Sequence, residues 1–202
     1  MTICFTFQAS HILMEGVQEI IGRSGVFAVL KVTPGNEKQP SLEQLCEGMP
    51  ADGAISVMSA LDDMYGVRGG RGVALRAGRA SFKYLLHAFG EKLELTSLDF
   101  RLQPTRVRLK SGLNKLSKLL SKEWGSQISM SEDVRYWYWH IRDCPVCAQA
   151  NSDHVMCHFT TGLLQEYLSW AGSGKYYNVV ETDCCARGAD ACIFRVDPVP
   201  LD

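Results

Sequence analysis

Apolar positions along this chain repeat with two periods, and the period changes from segment to segment. Leu13, Val17, Ile20 and Ile21 share one face of a helix that Ser10 can cap and that Gly22 and Gly25 end. Val26 to Val32 is a continuous apolar run and predicts a buried strand. Thr33 to Pro40 predicts a loop, after which Ser41 opens a short helix with Leu42 and Leu45 inward. Ala54 to Tyr65 predicts a helix, and Val73 to Phe89 predicts a longer one. Leu93 to Leu102 alternates weakly until Pro104 interrupts it. Val107 to Trp124 then predicts an amphipathic helix, with Leu109, Leu113, Leu116 and Leu120 inward and Lys110, Lys115, Lys118 and Lys122 outward.

Beyond a polar stretch at 125–134 the pattern changes. Val134 to Ile141 alternates as a strand, with Trp137, Trp139 and Ile141 on one face and Tyr136, Tyr138 and His140 on the other. His154 to Trp170 carries a helical stripe of Met156, Phe159, Leu163, Leu164, Tyr167 and Trp170. Tyr176 to Glu181 predicts a strand, Cys184 to Ala189 a turn, and Ala191 to Val196 a last strand. These elements divide a single domain of 1–202 into an N-terminal helical and strand part, 1–130, and a core, 131–198.

Some motifs admit two readings. Gly66 to Gly72 has the glycines of a phosphate loop, but it lacks the Gly-Lys-Ser/Thr ending and a preceding strand, so nucleotide binding is not expected. Ala77, Gly78 and Ala80 leave little bulk on one helix, which suits a close helix contact inside the chain or across a homodimer. The lysine-rich helix can lie over a core or on an anionic partner; a solvated face over a core is the ordinary use of such a helix.

Composition narrows the function. The chain has 202 residues and a formal net charge of −1, which gives no footprint for nucleic-acid binding. No apolar run is long enough to span a bilayer, and the first residues lack a secretory pattern. A cytoplasmic location is therefore expected. Of the 8 cysteines, Cys4 and Cys46 stand apart as ordinary thiols, and the other six fall between Cys144 and Cys192. Clustering beside His and Glu favours a metal over disulfides.

Glu181, Cys184 and Cys192 fall where a strand, a turn and a second strand bring them together, and Cys157 would close a tetrahedral site. Cys144-Pro145-Val146-Cys147 stays open between a turn with free thiols, alternative or second metal ligands, and a redox pair. Cys185, adjacent to Cys184, points the other way on an extended segment. Asp183 and Asp190 are competing oxygen donors, and His154 and His158 read as surface or neighbouring groups.

Cys157, Glu181-x-x-Cys184, Cys192 and Phe194, with Ala186, Gly188 and Asp190 between them, carry a resemblance. The stretch from about Val134 to Val196 resembles the 4-vinyl reductase domain family, found also as the sensor half of aromatic-responsive transcription activators. The resemblance implies an α+β fold, a mixed α/β sandwich whose antiparallel sheet is flanked by helices, related to a vesicle-transport fold that encloses an apolar ligand. It implies a structural Zn2+ on Cys157, Glu181, Cys184 and Cys192, with Glu181 preferred over the two aspartates. It also implies an aromatic wall, for which Trp137, Trp139, Phe159, Leu163 and Tyr167 are the candidates; the choice between the two tryptophans is open. The upstream His that phenol-type sensors use has no counterpart.

The expected function is a zinc-stabilised sensor or carrier for an apolar or tetrapyrrole-like ligand, without catalysis, as a homodimer read out by a downstream partner. The alternative is an accessory protein or reductase component in (bacterio)chlorophyll or tetrapyrrole biosynthesis. Hydride chemistry would need a dinucleotide fingerprint, and the sequence carries none.

Overall fold

A computed structural model describes residues 5–32, 51–147 and 150–201, with 51–55 as backbone alone. The expected loop at 33–40, the helix opening at Ser41, and Cys4 and Cys46 lie outside the described residues.

The first element is α1 (Phe7–Val32). Thr6 caps it: its Oγ1 accepts from the Ala9 N–H at 3.2 Å. Ser10, expected to be the cap, is instead a buried residue inside the helix. Gly22 interrupts α1 with φ 71° and ψ 168°, a conformation that favours glycine. The segment expected as a strand, Val26 to Val32, continues as helix. Val26, Val29 and Leu30 are buried and Phe27 is exposed, which is one face of a 3.6-residue repeat.

α2 (Ala51–Phe89) is broken at Gly66 by the same kind of turn, φ 70° and ψ 158°. Residues 67–72 are helical, so the glycine-rich stretch forms no loop. A one-turn helix α3 (Leu98–Leu102) follows, capped by Ser97, and then α4 (Thr105–Glu123). The four expected leucines of α4 are buried. Thr6 ties the start of α1 to the end of α4: its N–H donates to the Glu123 carbonyl at 2.8 Å, and its hydroxyl donates to the Glu123 carboxylate.

The remaining elements are β1 (Gln127–Glu132), β2 (Trp137–Arg142), α5 (His158–Ala171), β3 (Tyr176–Asp183) and β4 (Cys192–Leu201). The strands form one antiparallel sheet in the order β1-β2-β4-β3. The polar stretch expected as a join thus contains β1, an edge strand paired with β2. Its hairpin turn is set by Asp133, whose Oδ1 accepts from the Arg135 and Tyr136 N–H groups at 2.7 and 2.6 Å. Pro198 and Pro200 are tolerated in β4 because pairing with β2 ends at Trp137 and Val196.

Register fixes the inner face. Trp137 opposes Val196, Trp139 opposes Phe194 and Ile141 opposes Cys192. Val179 and Glu181 of β3 oppose Val196 and Phe194 from the other side. Residues directly opposite share a face, so all of these side chains point the same way. α4 packs on β1, α5 packs on β3, and α2 covers α5. The expected helix-flanked antiparallel sheet is the observed architecture.

Candidate metal centre and apolar seam

Three local structures converge at one end of the inner sheet face. The first is the turn after β2, where Pro145 sits between Cys144 and Cys147 and the Cys147 N–H donates to the Cys144 carbonyl at 3.2 Å. The second is the start of α5. Cys157 occupies the cap position there, and its N–H donates to Glu181 Oε2 at 2.9 Å. The third is the link from β3 to β4. Cys184 is extended, a single 3-10 turn spans Cys185–Arg187, and Gly188 turns the chain with φ 85°.

Cys157, Glu181, Cys184 and Cys192, the set expected from the sequence, each place a donor atom within 4.8 Å of the other three. A second group, Cys144, Cys147, Cys157 and Cys192, meets the same condition. Neighbouring sulfurs lie 3.2 Å apart for Cys147 and Cys192, 3.5 Å for Cys144 and Cys157, and 3.6 Å for Cys157 and Cys192. A tetrahedral zinc with bonds of about 2.3 Å has ligand sulfurs about 3.8 Å apart. The spacing is therefore near that of a loaded site. The five thiols are fully buried or almost so.

Glu181 is 7% exposed, and its Oε1 has no hydrogen-bond partner. Burial, and then the neighbouring Cys184, push its carboxyl up to about 9. A cation beside it would reverse that preference. Cys185 is half-buried and contributes through its backbone: its N–H donates to Cys192 Sγ at 3.3 Å. Asp183 and Asp190 are exposed. His154 pairs with Asp153 at 2.6 Å, and His158 is held down to about 4 by burial and Arg71. Neither histidine joins the donor groups.

Between α1, the end of α2, α4 and α5 lies an apolar seam. Ile12, Leu13, Leu85, Phe89, Phe159 and Leu163 line it, with Glu123 and Trp124 at the α4 end. Its free volume is about 10 Å³, room for about one water. Of the residues expected to meet a ligand, Phe159 and Leu163 are here. Trp137 and Trp139 are buried on the inner sheet face, and the Arg106 guanidinium covers the Trp137 ring at 5.4 Å. Trp139 Nε1 is buried with no partner. Tyr167 packs elsewhere: its hydroxyl donates to the Leu109 and Arg108 carbonyls of α4 at 2.9 and 3.0 Å. Burial holds that phenol well above its ordinary value, so it remains a donor.

The two features missed in the sequence are the inclusion of Cys144 and Cys147 in the cluster and the α1 and α2 share of the seam. Only the first had a signal, the spacing of a Cys-x-x-Cys close to Cys157.

Residues 137–198 match the family model of the vinyl-4-reductase domain. The C-terminal third of the chain is a vinyl-4-reductase domain. This is the family that the Cys157 to Phe194 pattern resembles. No curated protein matches the chain. Among solved structures, the chain is similar to the Fe(II) unliganded H-NOX protein of K. algicida, at 12% identity over 95% of each chain and a TM-score of 0.58. It is similar to the H-NOX protein of S. oneidensis in the Fe(II)NO ligation state, at 11% identity over 96% of this chain and 99% of that one, TM-score 0.58. The phenol-responsive sensory domain of PoxR, solved with phenol, matches 74% of this chain and 75% of its own at 18% identity and a TM-score of 0.49. The two H-NOX matches establish that the arrangement of helices before the vinyl-4-reductase domain belongs to a fold seen across whole chains of this length.

Proposed function

We propose that this protein is a zinc-stabilised small-molecule-binding domain, a sensor or carrier without chemistry of its own. The observation that carries the reading is the buried cluster that joins the first residue of α5 to the β3–β4 turn, on a helix that also walls an apolar seam. Zn2+ would be held by Cys157, Glu181, Cys184 and Cys192. It would supply structural cross-linking, since four protein donors leave no open coordination position. The donor chemistry fits: thiolates and a carboxylate suit zinc, and the partnerless Glu181 Oε1 is an oxygen that a cation would satisfy.

The ligand favoured by the seam is small and apolar. A tetrapyrrole would require the surrounding helices to part widely. The described lining also contains no His, Cys, Met or Tyr to serve as an axial ligand for a haem iron. Even a single aromatic ring needs more than the present volume, so binding would be coupled to a shift of α1 against α4 and α5. That shift is the signal a downstream partner would read. A homodimer, also part of this reading, has to use a face other than the small-residue stretch of α2, because Gly78 is occupied by α5.

The test is native mass spectrometry of the full chain, followed by thermal-shift titration with toluene, phenol and naphthalene. Bound zinc, together with stabilisation by at least one arene that Leu163→Trp abolishes by filling the seam, is expected. Absence of metal, or no arene response at millimolar concentration, overturns the corresponding half of the proposal.

A further inference from the structure

We propose that the cluster holds two divalent metal ions bridged by the thiolates of Cys157 and Cys192. Cys144 and Cys147 complete the tetrahedron of one ion, and Glu181 and Cys184 complete that of the other. The inference rests on the zinc reading above for the second tetrahedron and adds the first.

The argument begins with the supply of donors. Five buried thiols and one buried carboxylate converge, which is two more than a single tetrahedral ion can use. Two tetrahedral ions need eight bonds, so with six donors two must serve both ions. The two donor groups have two members in common, Cys157 and Cys192. Their sulfurs are 3.6 Å apart, close to the edge that two tetrahedra would share. Thiolate sulfur is soft and keeps lone pairs after binding one ion, so it can bridge, which a protonated thiol cannot. The Cys144 sulfur is 3.5 Å from the first bridging atom and the Cys147 sulfur is 3.2 Å from the second. An iron–sulfur cluster would spread these cysteines around inorganic sulfide, and the spacing leaves no room for it.

Charge favours the second ion. As each thiol ligates, it releases its proton to solvent. One divalent ion offsets two of the negative charges gathered here, and two ions offset four. A single ion bound by Glu181 and three thiolates would leave Cys144 and Cys147 as idle buried thiols against the site. Cys147 is also 3.7 Å from Cys184, so one competing arrangement is a single ion on Cys147, Cys157, Cys184 and Cys192. That arrangement would leave Glu181 Oε1 without a partner and Cys144 unused.

Two measurements on the full chain decide it. Native mass spectrometry of the zinc-loaded protein should give two zinc ions per chain, falling to one in Cys144→Ser/Cys147→Ser. Cadmium-113 NMR of the cadmium-substituted wild type, which needs no variant to fold, should give two resonances split by coupling to each other through the shared thiolates. One ion per wild-type chain, or a single resonance, overturns the second ion and leaves the mononuclear reading standing. Two ions that survive the double substitution, or two uncoupled resonances, place the extra ion elsewhere and overturn the bridge. A metal-free wild type overturns both readings.

Discussion

Gly78 of α2 and Gly162 of α5 meet backbone to backbone. A Cβ on Gly78 would fall 1.9 Å from the Phe159 carbonyl oxygen, and one on Gly162 would fall 2.0 Å from that of Leu75. The small-residue stretch of α2 is thus used inside the chain. Helix propensity alone says that Gly78→Ala should stabilise α2 by about 1 kcal/mol. The contact says the reverse, a loss of about 1–3 kcal/mol as the helices are forced apart. Gly72, exposed on the same helix with nothing near its missing Cβ, is the control. Gly72→Ala should gain up to about 1 kcal/mol. Urea denaturation of the two variants should move in opposite directions; a more stable Gly78→Ala would mean the helices do not approach this closely.

What the sequence disclosed follows from what was half-buried. The alternation of β2 and the heptad-like leucines of α4 were legible because one face of each meets the core and the other meets water. Val26 to Val32 was misread because a seven-residue apolar run has no unambiguous period, although Val26, Val29 and Leu30 carried the helical spacing. β1 was missed because an edge strand such as Gln127 to Glu132 has little apolar face to show. The set Cys157, Glu181, Cys184 and Cys192 was legible as spacing around a hairpin. The inclusion of Cys144 and Cys147 was not, because it depends on where the turn after β2 lands relative to α5.

The two cysteines of the β4 approach should behave differently. Cys192 offers its sulfur to both donor groups, whereas Cys185 contributes its backbone N–H. Cys192→Ser should lower metal content and destabilise the fold by several kcal/mol, because metal-binding energy is folding energy here. Cys185→Ser keeps the N–H and should be nearly silent in both. A chelator should reproduce the Cys192→Ser loss in the wild type and add little in the variant. Equal thermal midpoints with and without chelator in the wild type would remove the structural metal.

Tyr167 and Gly112 form a coupled pair. A Cβ on Gly112 would fall 1.9 Å from the Tyr167 hydroxyl oxygen. Tyr167→Phe should cost about 1 kcal/mol, the net value of a hydrogen bond to α4 carbonyls that already accept within the helix. Gly112→Ala should cost about 1–3 kcal/mol by crowding. In the Phe background that second cost should shrink, because the nearest atom is gone, though the ring carbon at 2.6 Å remains. A double-mutant cycle reads the coupling, and strict additivity would place Tyr167 away from α4.

Trp137 and Trp139 differ in what their indole N–H groups meet. Glu132 is held below its ordinary value by its bond to Lys110 and, among smaller contributions, by the Trp137 N–H, so the latter is already satisfied. The Trp139 N–H is buried and satisfied by nothing. Trp137→Phe loses a hydrogen bond and the Arg106 stacking, whereas Trp139→Phe loses volume but also sheds an unpaired donor that costs about 1–3 kcal/mol to bury. In the ligand-free protein Trp139→Phe should therefore be the milder substitution by denaturant midpoint. With a ligand, the order of importance should invert. An arene bearing an oxygen acceptor can satisfy the Trp139 N–H, and a plain arene cannot. The ratio of phenol to toluene affinity should fall about 5- to 10-fold in Trp139→Phe, the value of one hydrogen bond, and stay unchanged in Trp137→Phe. Taking the ratio cancels the change in pocket volume common to both ligands. An unchanged ratio in both variants would mean that neither indole faces the bound molecule.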